Sequence, residues 1–257
     1  MSPICDDGGV TSVDASRVPG RPARSGGAPA LLLVAHGTRE AAGALAVERI
    51  ADLVRMLLPR VEVRVSYADV RGPSPADALA DLPGACVAVP MFLAAGYHVR
   101  VDVPEQLRAA GRPDVTIADA LGPDPVLVSA AAQRLAAAGA RRDDAVVLAV
   151  AGSSDVSAQA DGALAARRLG RLLGGPVALA TIAAGGPRVP DVVAGLRAAG
   201  ASRVAVASWL LAPGLFQRRL HEAGADVVGE PLADHQAVPG LIVARYGSAP
   251  AEAARSA

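Results

Sequence analysis

The chain carries one pattern twice. LLLVAHGTRE, beginning at Leu31, runs parallel to VVLAVAGSSD, beginning at Val146. CVAVPMFLAAGYHVRVD, from Cys86, runs parallel to RVAVASWLLAPGLFQRRL, from Arg203. The offset is nearly constant: 115 from His36 to Ala151, 114 from Pro73 to Pro187 and 118 from Gly96 to Gly214. Such a repeat constrains the fold strongly, because both copies must satisfy one backbone pattern with different side chains. The glycines and prolines are kept and the ligand-type residues are not. His36 stands opposite Ala151, His98 opposite Phe216 and Asp69 opposite Ala183. The pattern predicts two similar halves facing across a cleft, with the chemistry on one wall.

Within each copy, short runs of Val, Leu and Ala alternate with Arg- and Ala-rich helical stretches. This is the α/β pattern of buried parallel strands joined by crossover helices. In the first copy, strands are expected at Leu31–Ala35, Val61–Tyr67, Cys86–Phe92 and Val115–Ala118. Helices are expected at Glu40–Leu58, from Ser74-Pro75, at Pro104–Ala110 and at Val126–Ala138. In the second, strands are expected at Val146–Val150, Val177–Ile182 and Val204–Trp209. Helices are expected at Ala158–Leu173, Val189–Ala199, Phe216–Ala223 and near Val238–Arg245. The halves should therefore cover 30–140 and 145–247. Residues 1–29, rich in Gly, Pro, Ser, Asp and Arg, read as a disordered extension, and 248–257 as a disordered tail.

Composition excludes several classes. Aromatic residues make up 2% of the chain, so the cores should be aliphatic, and a base-stacking surface for nucleic acid is not expected. The formal net charge is +0, so no global field draws the chain to DNA or membranes. No apolar run reaches the ~20 residues of a membrane span. The N-terminal stretch lacks the apolar segment of a secretory signal. Cys5 and Cys86 lie in unlike surroundings and are not expected to pair, which fits a reducing cytoplasm. The chain has no Lys, so every fixed cation is an Arg, the side chain suited to gripping carboxylates.

In open parallel sheets, ligands bind beyond the carboxyl ends of the strands. His36, Asp69 and His98 fall at three such ends. A lone strand-end histidine serves equally as a helix cap, and Asp69, before R-G-P-S-P, equally as a turn residue. Two imidazoles and a carboxylate together suit divalent iron, cobalt, nickel or zinc. They also suit proton removal near neutral pH. HGT has neither P-loop nor dinucleotide-fingerprint spacing, and no G-x-S-x-G elbow occurs. His221 reads as a surface residue and His235 as a helix cap.

VAHGTRE with His36, YADVRGPSP with Asp69 and VPMFLAAGYHVRVDVP with His98 resemble the class II chelatases, in particular the long CbiX/SirB-type sirohydrochlorin chelatases. The resemblance spans about Leu31 to Tyr246, and the third motif is its most specific part. It implies two flavodoxin-like, chelatase-fold halves facing across a cleft. It implies insertion of Fe²⁺ or Co²⁺ into sirohydrochlorin without ATP, for siroheme or cobalamin synthesis. By resemblance the catalytic set is His36, His98 and Asp69, with His36 and His98 binding the metal. Many members carry Glu where Asp69 stands. Sirohydrochlorin carries eight carboxylates, so Arg39, Arg71, Arg100 and Arg218 are candidate substrate-binding residues. Phe216 offers an apolar face to the macrocycle. No cofactor beyond the substrate metal, no nucleic-acid or membrane partner, and a monomer are expected. A non-catalytic metal or tetrapyrrole carrier would use the same residues. A two-lobed small-molecule receptor is a third reading, opposed by the missing secretory signal.

Overall fold

The computed structural model describes residues 28–249. The expected extension and tail lie outside them, apart from their innermost positions. β1 (Ala30–Ala35), β2 (Val63–Tyr67), β3 (Cys86–Pro90) and β4 (Thr116–Ile117) form one parallel sheet of order β2-β1-β3-β4. β5 (Ala145–Val150), β6 (Val177–Thr181), β7 (Val204–Trp209) and β8 (Val227–Val228) form a second of order β6-β5-β7-β8. The expected α/β class and two-sheet architecture are thus observed. β1 is buried on both faces, as a covered parallel strand requires. Leu31 and Leu33 enter one core, and Leu32 and Val34 the other.

The duplication is visible bond by bond. The Asp69 N–H donates to His36 O at 2.9 Å, and the Ala183 N–H donates to Ala151 O at the same distance. The Tyr67 N–H donates to Pro73 O at 2.9 Å, and the Thr181 N–H to Pro187 O at 2.8 Å. The pairings of His36 with Ala151, Asp69 with Ala183 and Pro73 with Pro187 are therefore structural equivalences.

Helices cover both sheets. α1 (Ala41–Leu57), α2 (Pro75–Leu79), α3 (Val103–Ala109) and α4 (Pro125–Ala137) follow the strands of the first copy. α5 (Val156–Leu173), α6 (Val189–Ala198), α7 (Leu215–His221) and α8 (Ala237–Ser248) follow those of the second. α2 starts with Pro75 behind a Ser74–Asp77 capping box, and α5 starts two residues earlier than expected because the Asp155 carboxylate caps it. The Ala237 N–H donates to His235 Nδ1, the expected cap. His221 is exposed.

The two copies exchange their last helices. α4 packs on α5 and β7, whereas α8 packs on α1 and β3. Leu31, Leu33 and Ile50 consequently share one core with Leu148, Trp209 and Ile242. That continuous core joins the two sheets. Small residues permit the approach: a Cβ on Gly229 would stand 3.4 Å from Leu135 N of α4.

Cys86 is free and buried, and burial pushes its thiol up to about 11, which makes it inert. Among the described residues no helix is long and apolar enough to cross a membrane.

Candidate active site

Both histidines stand at carboxyl ends of first-copy strands. His36 is the residue after β1. Its backbone is pinned because the Asp69 N–H bonds its carbonyl. Gly37 follows at φ +103°, and a Cβ there would lie 2.0 Å from Asp69 O. Only glycine allows the two loops to meet so closely. His98 opens a single π-helical turn, His98–Asp102, that leads into α3. The sequence reading missed this turn; such widened turns are frequent at functional sites.

The imidazole centroids of His36 and His98 lie 4.7 Å apart, edge to face at 70°. Phe92 lies 6.1 Å from each ring, and Tyr97 is 6.1 Å from His98. All four line a cavity of about 870 Å³ between the two halves. Tyr67, Trp209 and Phe216 also line it. Five of the chain's six aromatic residues therefore face one space, the exception being Tyr246. Low aromatic content had implied only aliphatic cores; the structure concentrates what aromatic surface there is in the cleft. Trp209 Nε1–H donates to Leu93 O, tying the second wall to the first.

The second copy contributes Ala151, Ala183, Gly185 and Phe216 where the first carries its polar side chains. Among the described residues no Asp, Glu or Arg lines the cavity. It is a slot lined without carboxylates or guanidinium groups, with two imidazoles on one side.

Asp102 is the residue the sequence reading did not single out. Its Oδ2 lies 2.9 Å from His98 Nδ1. Its Oδ1 accepts from Gln106 Nε2 at 2.9 Å, and Gln106 Nε2 also donates to Ala68 O at 2.8 Å. Partial burial raises the Asp102 carboxyl, but the bonds from His98 and Gln106 outweigh it and hold it below the usual carboxylate value. An ionised carboxylate only accepts, so in the neutral imidazole of His98 it selects the tautomer with the proton on Nδ1 and the lone pair on Nε2. The signal was present in sequence: Asp102 follows His98 by four residues, the spacing that puts two side chains on one helical face.

The other expected residues are placed differently. Asp69 is exposed and outside the cavity lining, and its Oδ1 accepts from the Val70 N–H. Arg39 is exposed and away from the lining. The Arg71 guanidinium stacks 4.9 Å over the Tyr67 ring. Arg100 donates across the cleft to Ser157 Oγ. Arg218 grips Glu40 with both guanidinium nitrogens, again across the cleft. Phe216 does line the cavity, with Arg219 5.8 Å over its ring.

Among the described residues no group of three or more His, Cys, Asp or Glu is arranged to hold a metal ion. Two imidazoles can bind a transition metal while leaving most of its coordination positions to other ligands. That is a useful property where an ion must be passed on.

Comparison with known proteins places these features in a family. The chain is 32% identical over 82 residues to the sirohydrochlorin cobaltochelatase of Methanococcoides burtonii, a match covering 30% of this chain and 63% of that protein. The chain thus aligns with less than two thirds of that relative's length. The fold resembles SirB from Bacillus subtilis with Fe³⁺, with TM-score 0.74 and 20% identity over 85% of this chain and 94% of that one. It also resembles CbiX, the terminal enzyme of siroheme biosynthesis in denitrifying bacteria, with TM-score 0.65 and 22% identity over 86% and 99%. The family model described as CbiX matches residues 30–138 and again 145–249, one match per copy. On that double match, the chain belongs to the CbiX family.

Proposed function

We propose that this chain is a cytoplasmic sirohydrochlorin chelatase that inserts Fe²⁺ or Co²⁺ without ATP. One observation carries the reading: a paired-imidazole wall in a slot that gathers five of the six aromatic residues. A flat macrocycle fits such a slot, with its peripheral carboxylates directed outward to a charged rim.

Insertion exchanges two pyrrole N–H protons for one divalent ion. The nitrogen lone pairs form the new bonds to the metal, and the two protons leave with a base. A neutral imidazole can hold the incoming ion or take a proton. His36 and His98 supply two such groups, and both belong to the 30–140 half. The 145–247 half supplies the opposing wall. Asp102 keeps His98 in the tautomer whose Nε2 is free. Asp102, and not Asp69, is the carboxylate in contact with a histidine of the pair. The exposure of the Asp69 carboxylate supports a role in delivering the ion from solvent.

Incubation of the protein with sirohydrochlorin and Co²⁺ or Fe²⁺, without nucleotide, is expected to convert the free-macrocycle spectrum to that of the metal complex. No acceleration over the protein-free mixture would overturn the proposal. Asp102→Asn is expected to lower kcat or metal affinity about 10- to 100-fold, with partial recovery in Asp102→Glu. Steady-state insertion and Co²⁺ titration measure this; a change in stability alone would exclude the positioning role.

A further inference from the structure

The cavity interior has no fixed cation among its described lining residues. Any carboxylates of a bound macrocycle must therefore be received at the rim. Arg218 is there, three residues beyond Leu215, which lines the slot. Its fork is already filled. Nη2 donates to Glu40 Oε1 at 2.6 Å while Nη1 donates to Oε2, the two-point geometry in which guanidinium recognises a carboxylate. Glu40 comes from the other half, at the start of α1, between Thr38 and Gly43 of the opposite cavity wall. A Cβ on Gly214 would stand 4.0 Å from the Glu40 carboxylate, so that carboxylate rests against the loop that borders the slot. The side chains are 58% and 30% exposed for Arg218 and Glu40. Solvent screens so exposed a pair, and an incoming carboxylate would restore the same two-point contact, so the exchange costs little.

We infer that Glu40 is an internal stand-in for a substrate carboxylate, and that a carboxylate on the macrocycle edge displaces it from Arg218 as the ligand enters. The inference rests on the proposed function, because it requires a polycarboxylate ligand. Exchange would release the tie between the halves at this edge of the cleft. The opposite edge would stay closed, where the Ala95 N–H donates to Asp161 Oδ2 at 2.8 Å and a Cβ on Gly96 would meet Ala158 Cβ at 3.1 Å. Glu40 thereby competes with the substrate, and Arg218 serves it.

Opposite signs separate this from a structural clasp. Metal-free sirohydrochlorin is titrated against the full chain, following quenching of the single tryptophan, Trp209, which lines the slot. Glu40→Gln is expected to tighten binding about two- to fivefold, and Arg218→Gln to weaken it about fivefold, the range open to an exposed charge pair. Glu40→Asp, which keeps the charge and shortens its reach, should fall between wild type and Glu40→Gln. If both neutral variants weaken binding, the pair is a clasp and the exchange is overturned. If neither changes it, Arg218 receives no carboxylate and the exchange is likewise overturned. A wild-type chain that binds no sirohydrochlorin overturns the proposed function itself.

Discussion

His36→Ala and His98→Ala are each expected to lower the insertion rate about 10²–10⁴-fold, the usual loss on removing a positioned proton acceptor. The double variant should lose little more than the worse single one, because groups that act as a unit are not additive. The rings lie 4.7 Å apart, so one ion or one macrocycle nitrogen can address both. His36 is exposed, so its removal should leave the denaturation midpoint close to wild type. Insertion kinetics beside a denaturant titration check this. Unchanged rates in both single variants would remove the histidines from the reaction.

The next largest effect is expected at Gly37. Its φ of +103° is one that L side chains rarely adopt, and the added Cβ would lie 2.0 Å from Asp69 O. That oxygen is backbone, so no side-chain rotation relieves the clash. Gly37→Ala should destabilise the chain by about 2–4 kcal/mol and carry His36 out of register with His98. Its counterpart in the second copy, Gly152, has φ +96° and a Cβ position 2.2 Å from Ala184 O. Gly152→Ala should cost comparable stability and a smaller fraction of kcat, since Ala151 rather than a histidine precedes it. Midpoints from denaturation, with kcat taken where both variants are folded, compare the two. Equal losses of kcat would mean that Gly37 acts through stability alone.

The duplicated α/β scaffold could be read before any coordinates because it is written locally. Buried parallel strands demand short apolar runs, and helices demand their own period. Paired positions such as Pro73 and Pro187 then make the same backbone bond in each copy. β8 is harder to see than the equally short β4, because Val227-Val228 is flanked directly by Asp226 and Gly229 whereas Thr116-Ile117 sits between Val115 and Ala118. The exchange of α4 and α8 is hidden for another reason. Periodicity reports that a helix has an apolar face, and it carries no information about which sheet covers that face.

The site was legible in part. His36 and His98 were visible as strand-end residues absent from the second copy. The convergence of Tyr67, Phe92, Tyr97, Trp209 and Phe216 was not, since these lie far apart in sequence and meet only when the halves close. Proximity in sequence misdirected the arginines. Arg39 and Arg100 are near the histidines along the chain, but backbone direction points Arg39 to solvent and Arg100 to Ser157. Asp102 is marked in the sequence by its four-residue spacing to His98, but it lies one turn into the helical segment rather than at a strand end, where ligands of open parallel sheets gather.

The central claim is that this cleft catalyses metal insertion rather than storing a metal or a tetrapyrrole. The direct test is a product count. With protein limiting and sirohydrochlorin and Co²⁺ or Fe²⁺ in excess, the metal complex formed per chain is measured over time without nucleotide. The account requires many equivalents per chain at a steady rate. A single equivalent, formed in a burst and retained on the protein, would make the chain a carrier and contradict it.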